Sequence, residues 1–362
     1  MSYQRKHNTG YILRICGIAA LGGILFGYDT AVISGAIEAL KTYFNLSPAE
    51  TGWAVSNVVI GCVVGAFAAG PLAARWGRKK ALMLAALLFT VSAVGAALAP
   101  TFTWFVIYRI IGGLAVGIAA TVSPMYMSEV SPKDMRGRAL SMQQFAIVFG
   151  QIVIFYVNFK IASLASEAWL VEMGWRWMFA SGVIPCILFC ILVFVIPESP
   201  RWNVMMGRDD QALAMLTKVS NAAHAQNLLK EIKDSLQQDQ QQRHRKLNYG
   251  DVRVRFILFV GCMIAMLQQV TGVNVMMYYA PVVLKTVTEN AQEALFQTIW
   301  IGVLQLVGSV IGAMLMDRMG RIPLMRYGTL GAIAGLLLTS YALYTQATGY
   351  FALFGMLFFM VF

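Results

Sequence analysis

R-W-G-R-K-K, residues 75–80, interrupts an apolar stretch and is echoed by D-R-M-G-R at residues 317–321. The two R-x-G-R turns stand 243 residues apart, and each follows a run long enough to cross a bilayer. A single such turn means little, since any short loop on a basic face favours arginine. Two at equivalent positions mark a chain of parallel repeats, the trace that duplication leaves in membrane transporters.

The composition around them agrees. Of 362 residues, 58% are hydrophobic and only 12% are charged, against about a quarter charged in a soluble domain. The 32 glycines suit helices that approach closely in lipid. Spans of about 20 residues are predicted near 11–33, 53–74, 81–99, 104–127, 140–162, 175–196, 255–282, 295–316 and 324–345. A tenth starts near 350. Residues 1–10 are polar, so no cleavable signal is expected.

The net charge of +11 could suggest nucleic acid. Its distribution argues otherwise. With the N-terminus cytoplasmic, 23 of the 28 Lys and Arg fall on that side, four fall outside, and Arg109 lies within a span. That is the positive-inside pattern of a multi-pass plasma (inner) membrane protein, and it needs no polyanionic partner. The chain divides into six helices over 1–200, a polar and partly helical cytoplasmic linker over 201–254, and an incomplete second half over 255–362. Cys16, Cys62, Cys186, Cys190 and Cys262 lie in apolar segments without histidine or carboxylate companions, and read as small buried hydrophobes. All three histidines lie outside the spans. No metal site, cofactor or enzymatic constellation is expected.

Several strings resemble the sugar porter family of the major facilitator superfamily, and within it the bacterial proton-linked D-xylose transporters. They are G-G-I-L-F-G-Y-D-T-A-V-I-S-G (22–35), R-W-G-R-K-K (75–80), F-V-I-Y-R-I-I-G-G (105–113) and E-V-S-P-K-D-M-R-G-R (129–138). Q-F-A-I-V-F-G-Q (144–151), P-E-S-P-R-W (197–202), Q-Q-V-T-G-V-N-V-M-M-Y-Y-A-P (268–281) and D-R-M-G-R complete the set. The resemblance implies an all-α bundle of twelve spans around a cavity that opens alternately to either side, working as a monomer. Nine to ten of the twelve are expected before Phe362, and uptake by the 362-residue chain alone is expected to fail. Ala74 departs from the family, which usually has Asp or Asn before R-x-G-R.

A monosaccharide presents hydroxyls that both donate and accept, and amides match both roles without charge. Gln144 and Gln151 share a helix face two turns apart. Gln268 and Gln269 precede Asn274 and Tyr278, and a regular helix would set Gln269 and Asn274 well apart in angle. Gly272 and Pro281 permit the irregularity that midmembrane sites use. Gln305 joins the set, where many relatives have Asn. Phe26, Tyr278, Tyr279 and Trp300 are aromatic candidates, with Trp300 better read as core. Helix-to-helix glue remains the bland reading of the amides.

Asp29 and Arg109 lie mid-span, where ionisable residues mark coupling sites by default. A carboxylate that alternates between pairing with Arg109 and an unpaired apolar setting can take a proton on one side and release it on the other. A permanent structural ion pair is the alternative. Facilitative relatives tend to have Asn at position 29, which favours coupling, whereas proton-linked relatives can carry a span-six carboxylate where this chain has Gly182. By resemblance, Arg75, Arg78, Glu129, Arg136, Arg138 and Glu198 link helix ends across the cytoplasmic face, with Asp317, Arg318 and Arg321 their second-half counterparts. The charge pattern alone accounts for Lys79, Lys80 and Lys133. The expected function is proton-coupled symport of a monosaccharide, D-xylose foremost; a facilitative uniporter or a non-transporting sugar sensor is the alternative.

Overall fold

The computed structural model describes residues 8–164, 166–243, 252–288, 290–345 and 349–361. Six apolar helices come first: α1 (Thr9–Tyr43), α2 (Pro48–Trp76), α3 (Arg78–Ala97), α4 (Phe102–Val130), α5 (Arg136–Ser163) and α6 (Glu167–Val195). Three polar helices follow, α7 (Pro200–Met205), α8 (Asp209–Val219) and α9 (Ala222–Arg243). Then come α10 (Val252–Val270), α11 (Val273–Thr288), α12 (Ala291–Met319), α13 (Arg321–Tyr344) and α14 (Gly349–Val361). Among the described residues, nine segments are long and apolar enough to cross a membrane, with α10 and α11 counting as one. The expected spans are all present, and most run a turn or more past the apolar stretch.

Helix starts follow the local chemistry. Ser47 and Glu50 close a capping box at α2, with Pro48 in the first helical position. Asn8 and Asn290 cap α1 and α12 through their side-chain oxygens. The two R-x-G-R turns share one backbone shape. Gly77 ends α2 at φ 94° and ψ 163°, and Gly320 ends α12 at φ 81° and ψ 169°. Only glycine adopts such angles without strain, so the echo in sequence is an echo in conformation. Around Gly320 a Cβ would meet open space, whereas at Gly77 it would strike Glu198 Oε2. Gly320→Ala is therefore expected to cost about 1 kcal/mol, and Gly77→Ala visibly more; detergent-solubilised thermal melts of the two variants check the order.

Small residues bring helices to backbone contact. A Cβ on Gly27 of α1 would run into the Ile147 carbonyl of α5, and one on Gly150 into that of Ile24. This seam fixes α1 and α5 in register, side by side. Helix α6 is not one smooth rod: Leu170–Gly174 form a wide π-helical turn, and a second break falls at Gly182.

The helix ends define two faces. The basic face carries the start of α1, the two R-x-G-R turns and helices α7–α9; the far face carries the α1–α2 connection and the start of α12. Buried apolar side chains form two clusters. One, toward the basic face, joins Ile12, Ile15, Leu82, Val116, Tyr126 and Phe189 to Met215 and Val219 of α8. The other, toward the far face, holds Ile33, Ile37, Phe105 and Trp175 together with Met277, Ala280 and Leu284 of α11 and Ile301 of α12. Among the described residues, the segment after residue 252 enters the far-face cluster and not the other.

The polar helices are tied down by a few contacts. The Asn8 N–H donates to the Val219 carbonyl at 2.8 Å, and Lys133 pairs with Glu231 at 2.9 Å. Lys233 also pairs with Asp209.

Candidate functional site

Depth in the bundle can be read from the packing. Gly27 of α1 meets Ile147 of α5, and Gly302 of α12 lies against Ile152 and Phe155 of α5. Phe26, Gln151 and Gln305 therefore stand near one level, on three helices that touch. Gln151 is buried and its Oε1 has no hydrogen-bond partner; Gln305 is half-buried with an equally unpartnered Oε1. Gln144 is exposed. Its neighbour Gln143 is the one turned inward, 6% exposed, with both amide atoms unpartnered against Gly23 of α1. The sequence reading missed Gln143. The doublet Gln143–Gln144 was the available signal, and adjacent helical residues point about 100° apart, so only packing chooses between them.

The helix break at residues 271–272 is where the sequence expected irregularity. Gly272 takes φ 83°, ending α10 and restarting the chain as α11. Across it, the Asn274 Nδ2 donates to Gln269 Oε1 at 2.8 Å. An unbroken helix would separate the two side chains by five residues of rotation; the break brings them together. Gln268, Gln269 and Asn274 are exposed on the described surface, while Tyr278 is half-buried one turn along. Trp300 is 51% exposed on α12 rather than in the core, and Cys262 is exposed on α10, unlike the buried Cys16 and Cys186. Apolarity predicted both as interior, but it cannot say which apolar face is covered.

Asp29 and Arg109 meet. The Arg109 Nη1 donates to Asp29 Oδ2 at 2.9 Å and to the Asp29 carbonyl at 3.1 Å. Arg109 is fully buried, its guanidinium lies 5.5 Å from the Phe179 ring centre, and its Nε and Nη2 have no partner. A buried arginine with two unsatisfied nitrogens costs free energy that a single carboxylate only partly offsets. Beside Asp29 lies a cavity of about 20 Å³, lined by Tyr28, Phe89, Phe179, Gly182 and Cys186 among others. It is large enough for one water.

On the basic face, P-E-S-P-R-W folds over the R-W-G-R-K-K turn. Arg78 Nη2 binds Glu129 Oε1 at 2.7 Å, and Ser199 Oγ donates to the other Glu129 oxygen. Glu198 Oε1 accepts backbone N–H groups of Arg78 (2.9 Å), Lys79 (3.2 Å) and Ser199 (2.8 Å). Trp202 Nε1 donates to the Ala74 carbonyl at 2.9 Å, and the Tyr126 hydroxyl to that of Pro197 at 2.9 Å. Arg78, Glu129 and Glu198 thus gather in one clasp joining α2, α3, α4 and the α6–α7 connection. Arg75 and Arg138 are exposed beside it, and Arg136 reaches the Ser128 carbonyl. Lys79 and Lys133, assigned to bulk charge, instead have specific partners at Phe194 O and Glu231. Arg318 and Arg321 are exposed, and the side chain of Asp317 lies outside the described residues.

Burial pushes the Glu198 carboxyl above its usual range, against the opposing pull of the backbone N–H groups and Arg78. A carboxyl whose folded value is raised binds its proton more tightly folded than unfolded. Stability is then lost as pH rises from the ordinary glutamate value through the folded one. Glu198→Gln, which keeps an acceptor oxygen, is expected to hold or raise the melting temperature at neutral pH. Glu198→Ala, which strands three N–H groups, should lower it. The order of the two melts checks the assignment.

Known proteins resemble this chain in sequence and fold. The profile of the family described as "Sugar (and other) transporter" matches residues 15–362. The chain is 41% identical to the D-xylose-proton symporter of Escherichia coli (strain K12), covering 98% of this chain and 77% of that one. It is 36% identical to the arabinose-proton symporter of Bacillus subtilis (strain 168), over 95% and 74% of the two. The partially occluded inward-open structure of the E. coli xylose transporter superposes with a TM-score of 0.88 at 40% identity, over 97% of this chain and 84% of that one.

Proposed function

Because the chain belongs to the sugar transporter family of the major facilitator fold, we propose that it carries a monosaccharide, D-xylose foremost, with a proton. It does so by alternating access. The basic face is cytoplasmic, the membrane is the inner membrane, and the protein works as a monomer.

The observation that supports the substrate class most directly is the set of unpartnered amides. Gln143, Gln151 and Gln305 hold buried amide atoms without partners, and the Gln269–Asn274 pair sits on a broken helix. Buried polar atoms in native structures find partners, so orphans grouped among contacting helices ask for a polar ligand or water. A sugar ring supplies alternating donors and acceptors around a compact body, and neutral amides, which both donate and accept, match both roles.

Coupling rests on Asp29 and Arg109. Asp29 is the acceptor of a buried arginine and also borders a water-sized cavity. It therefore has two settings to alternate between, one paired with Arg109 and one facing a small, mainly apolar cavity. Gly182 lies on the cavity wall, at the position where proton-linked relatives can carry a second carboxylate.

A thermal-shift panel of pentoses and hexoses tests the proposal. D-xylose is expected to raise the melting temperature in a saturable way, more than a polyol of the same carbon number. A flat response to every sugar would overturn it.

A further inference from the structure

Alternating access requires the two faces to close by turns, and the far-face seam is closed here. Ile33 and Ile37 of α1 pack with Met277, Ala280 and Leu284 of α11 in one buried cluster. On the basic side, among the described residues, no such cluster joins the halves. Helix α10 has no buried residue among those described, and the basic-face cluster draws on no residue after Val219. Above the far seam, Glu38 Oε2 of α1 and Lys285 Nζ of α11 stand 3.5 Å apart, bridging the first six spans to the segment that follows the linker.

We propose that Glu38 and Lys285 form an ion-pair latch that closes the far, outer end of the seam between the halves. Opening outward must part α1 from α11, and therefore must break this pair. The inner clasp has a different character. Arg78, Glu129, Glu198 and Ser199 all lie within the first 199 residues, so it stiffens one half without tying it to the other. Outer closure and inner rigidity are thus served by separate charges. The inference deepens the alternating-access reading and rests on it.

The exposure of the pair suits a latch. The side chains are 44% and 49% exposed, so water can re-solvate both charges when they separate. An exposed pair contributes little to folding. Placed across an interface whose two states lie within a few kcal/mol, the same small term shifts populations. A cavity of about 520 Å³ opens beside it, lined by Ser34, Glu38, Thr42, Glu167 and Lys285 among others, which gives the separated groups room and solvent.

The test reads distance, not transport. In a variant with the native cysteines replaced, spin labels at Lys41→Cys and Thr286→Cys report the outer ends of α1 and α11 by pulsed dipolar spectroscopy in nanodiscs. Glu38→Lys, which turns attraction into repulsion, is expected to raise the widely separated population about fivefold. Lys285→Glu should do the same, and the exchanged pair Glu38→Lys with Lys285→Glu should restore the original distribution. An unchanged distribution in both single variants would overturn the latch, as would an exchanged pair that stays open. Distances that respond in a protein that binds no sugar would sustain the latch while sinking the substrate assignment. Sugar binding with unresponsive distances would do the reverse.

Discussion

Asp29→Asn is expected to abolish sugar accumulation driven by a pH gradient while leaving sugar-for-sugar exchange in place. Reconstituted together with the remaining spans of the twelve-span family, the variant should fall from concentrative uptake to simple equilibration. The physical reason is that Asn keeps an oxygen to accept from Arg109 Nη1, now at 2.9 Å from Asp29 Oδ2, but cannot take up or release a proton. The substitution also strands a buried cation whose Nε and Nη2 already lack partners. Removing one member of a buried pair costs about 3–5 kcal/mol. Part of that returns when the neutral amide and a water in the adjoining cavity of about 20 Å³ solvate the guanidinium. Exchange separates the two outcomes: a protein that merely misfolds loses exchange as well as accumulation. Uptake that still follows the pH gradient in Asp29→Asn would remove Asp29 from the coupling step and leave it a structural partner of Arg109.

Gln269→Ala is the second substitution with a large expected effect, here on binding. It deletes an amide that can reach a hydroxyl, and it also frees the Asn274 Nδ2, which now donates to Gln269 Oε1 at 2.8 Å. Two hydrogen bonds to neutral partners are worth about 1–3 kcal/mol together, which is about a 5- to 150-fold loss of affinity. Gln151→Ala should come closer to the lower end, since its Oε1 has no protein partner to strand. Titration of each variant with D-xylose checks both the loss and the order. Unchanged affinity in Gln269→Ala would remove the helix break from the binding site.

Much of this was legible in the chain, for identifiable reasons. Spans are written in long runs of one polarity, which no packing detail can disguise. The duplicated R-x-G-R turns were legible because a positive φ at Gly77 and Gly320 admits little besides glycine. The break at Gly272 was legible for the same reason. Irregularity inside α6 was not, because neither the π-helical turn at 170–174 nor the stop at Gly182 alters an apolar composition that reads as one helix. Facing was the other gap. Gln143 rather than Gln144 turned inward, Trp300 and Cys262 turned outward, and Arg78 was buried while Arg75 was not. Each is a matter of rotation about a helix or position in a turn, set by what packs alongside. The clasp shows it best: Glu198 serves backbone N–H groups, which no charge pattern displays.

The interruption at Gly272 has a mechanical consequence. An unbroken rod would transmit any movement at its middle to both ends alike, whereas two rods joined at a pivot form a crank. Lys285 lies twelve residues along α11 from Val273, an arm of about 18 Å at 1.5 Å per residue. Swinging that arm by about 10° carries its tip about 3 Å, by the same geometry. That nearly doubles the 3.5 Å separating Lys285 from Glu38. With the proposed site at this pivot, a sugar hydroxyl inserted between Gln269 and Asn274 would be felt, magnified, at the mouth of the molecule.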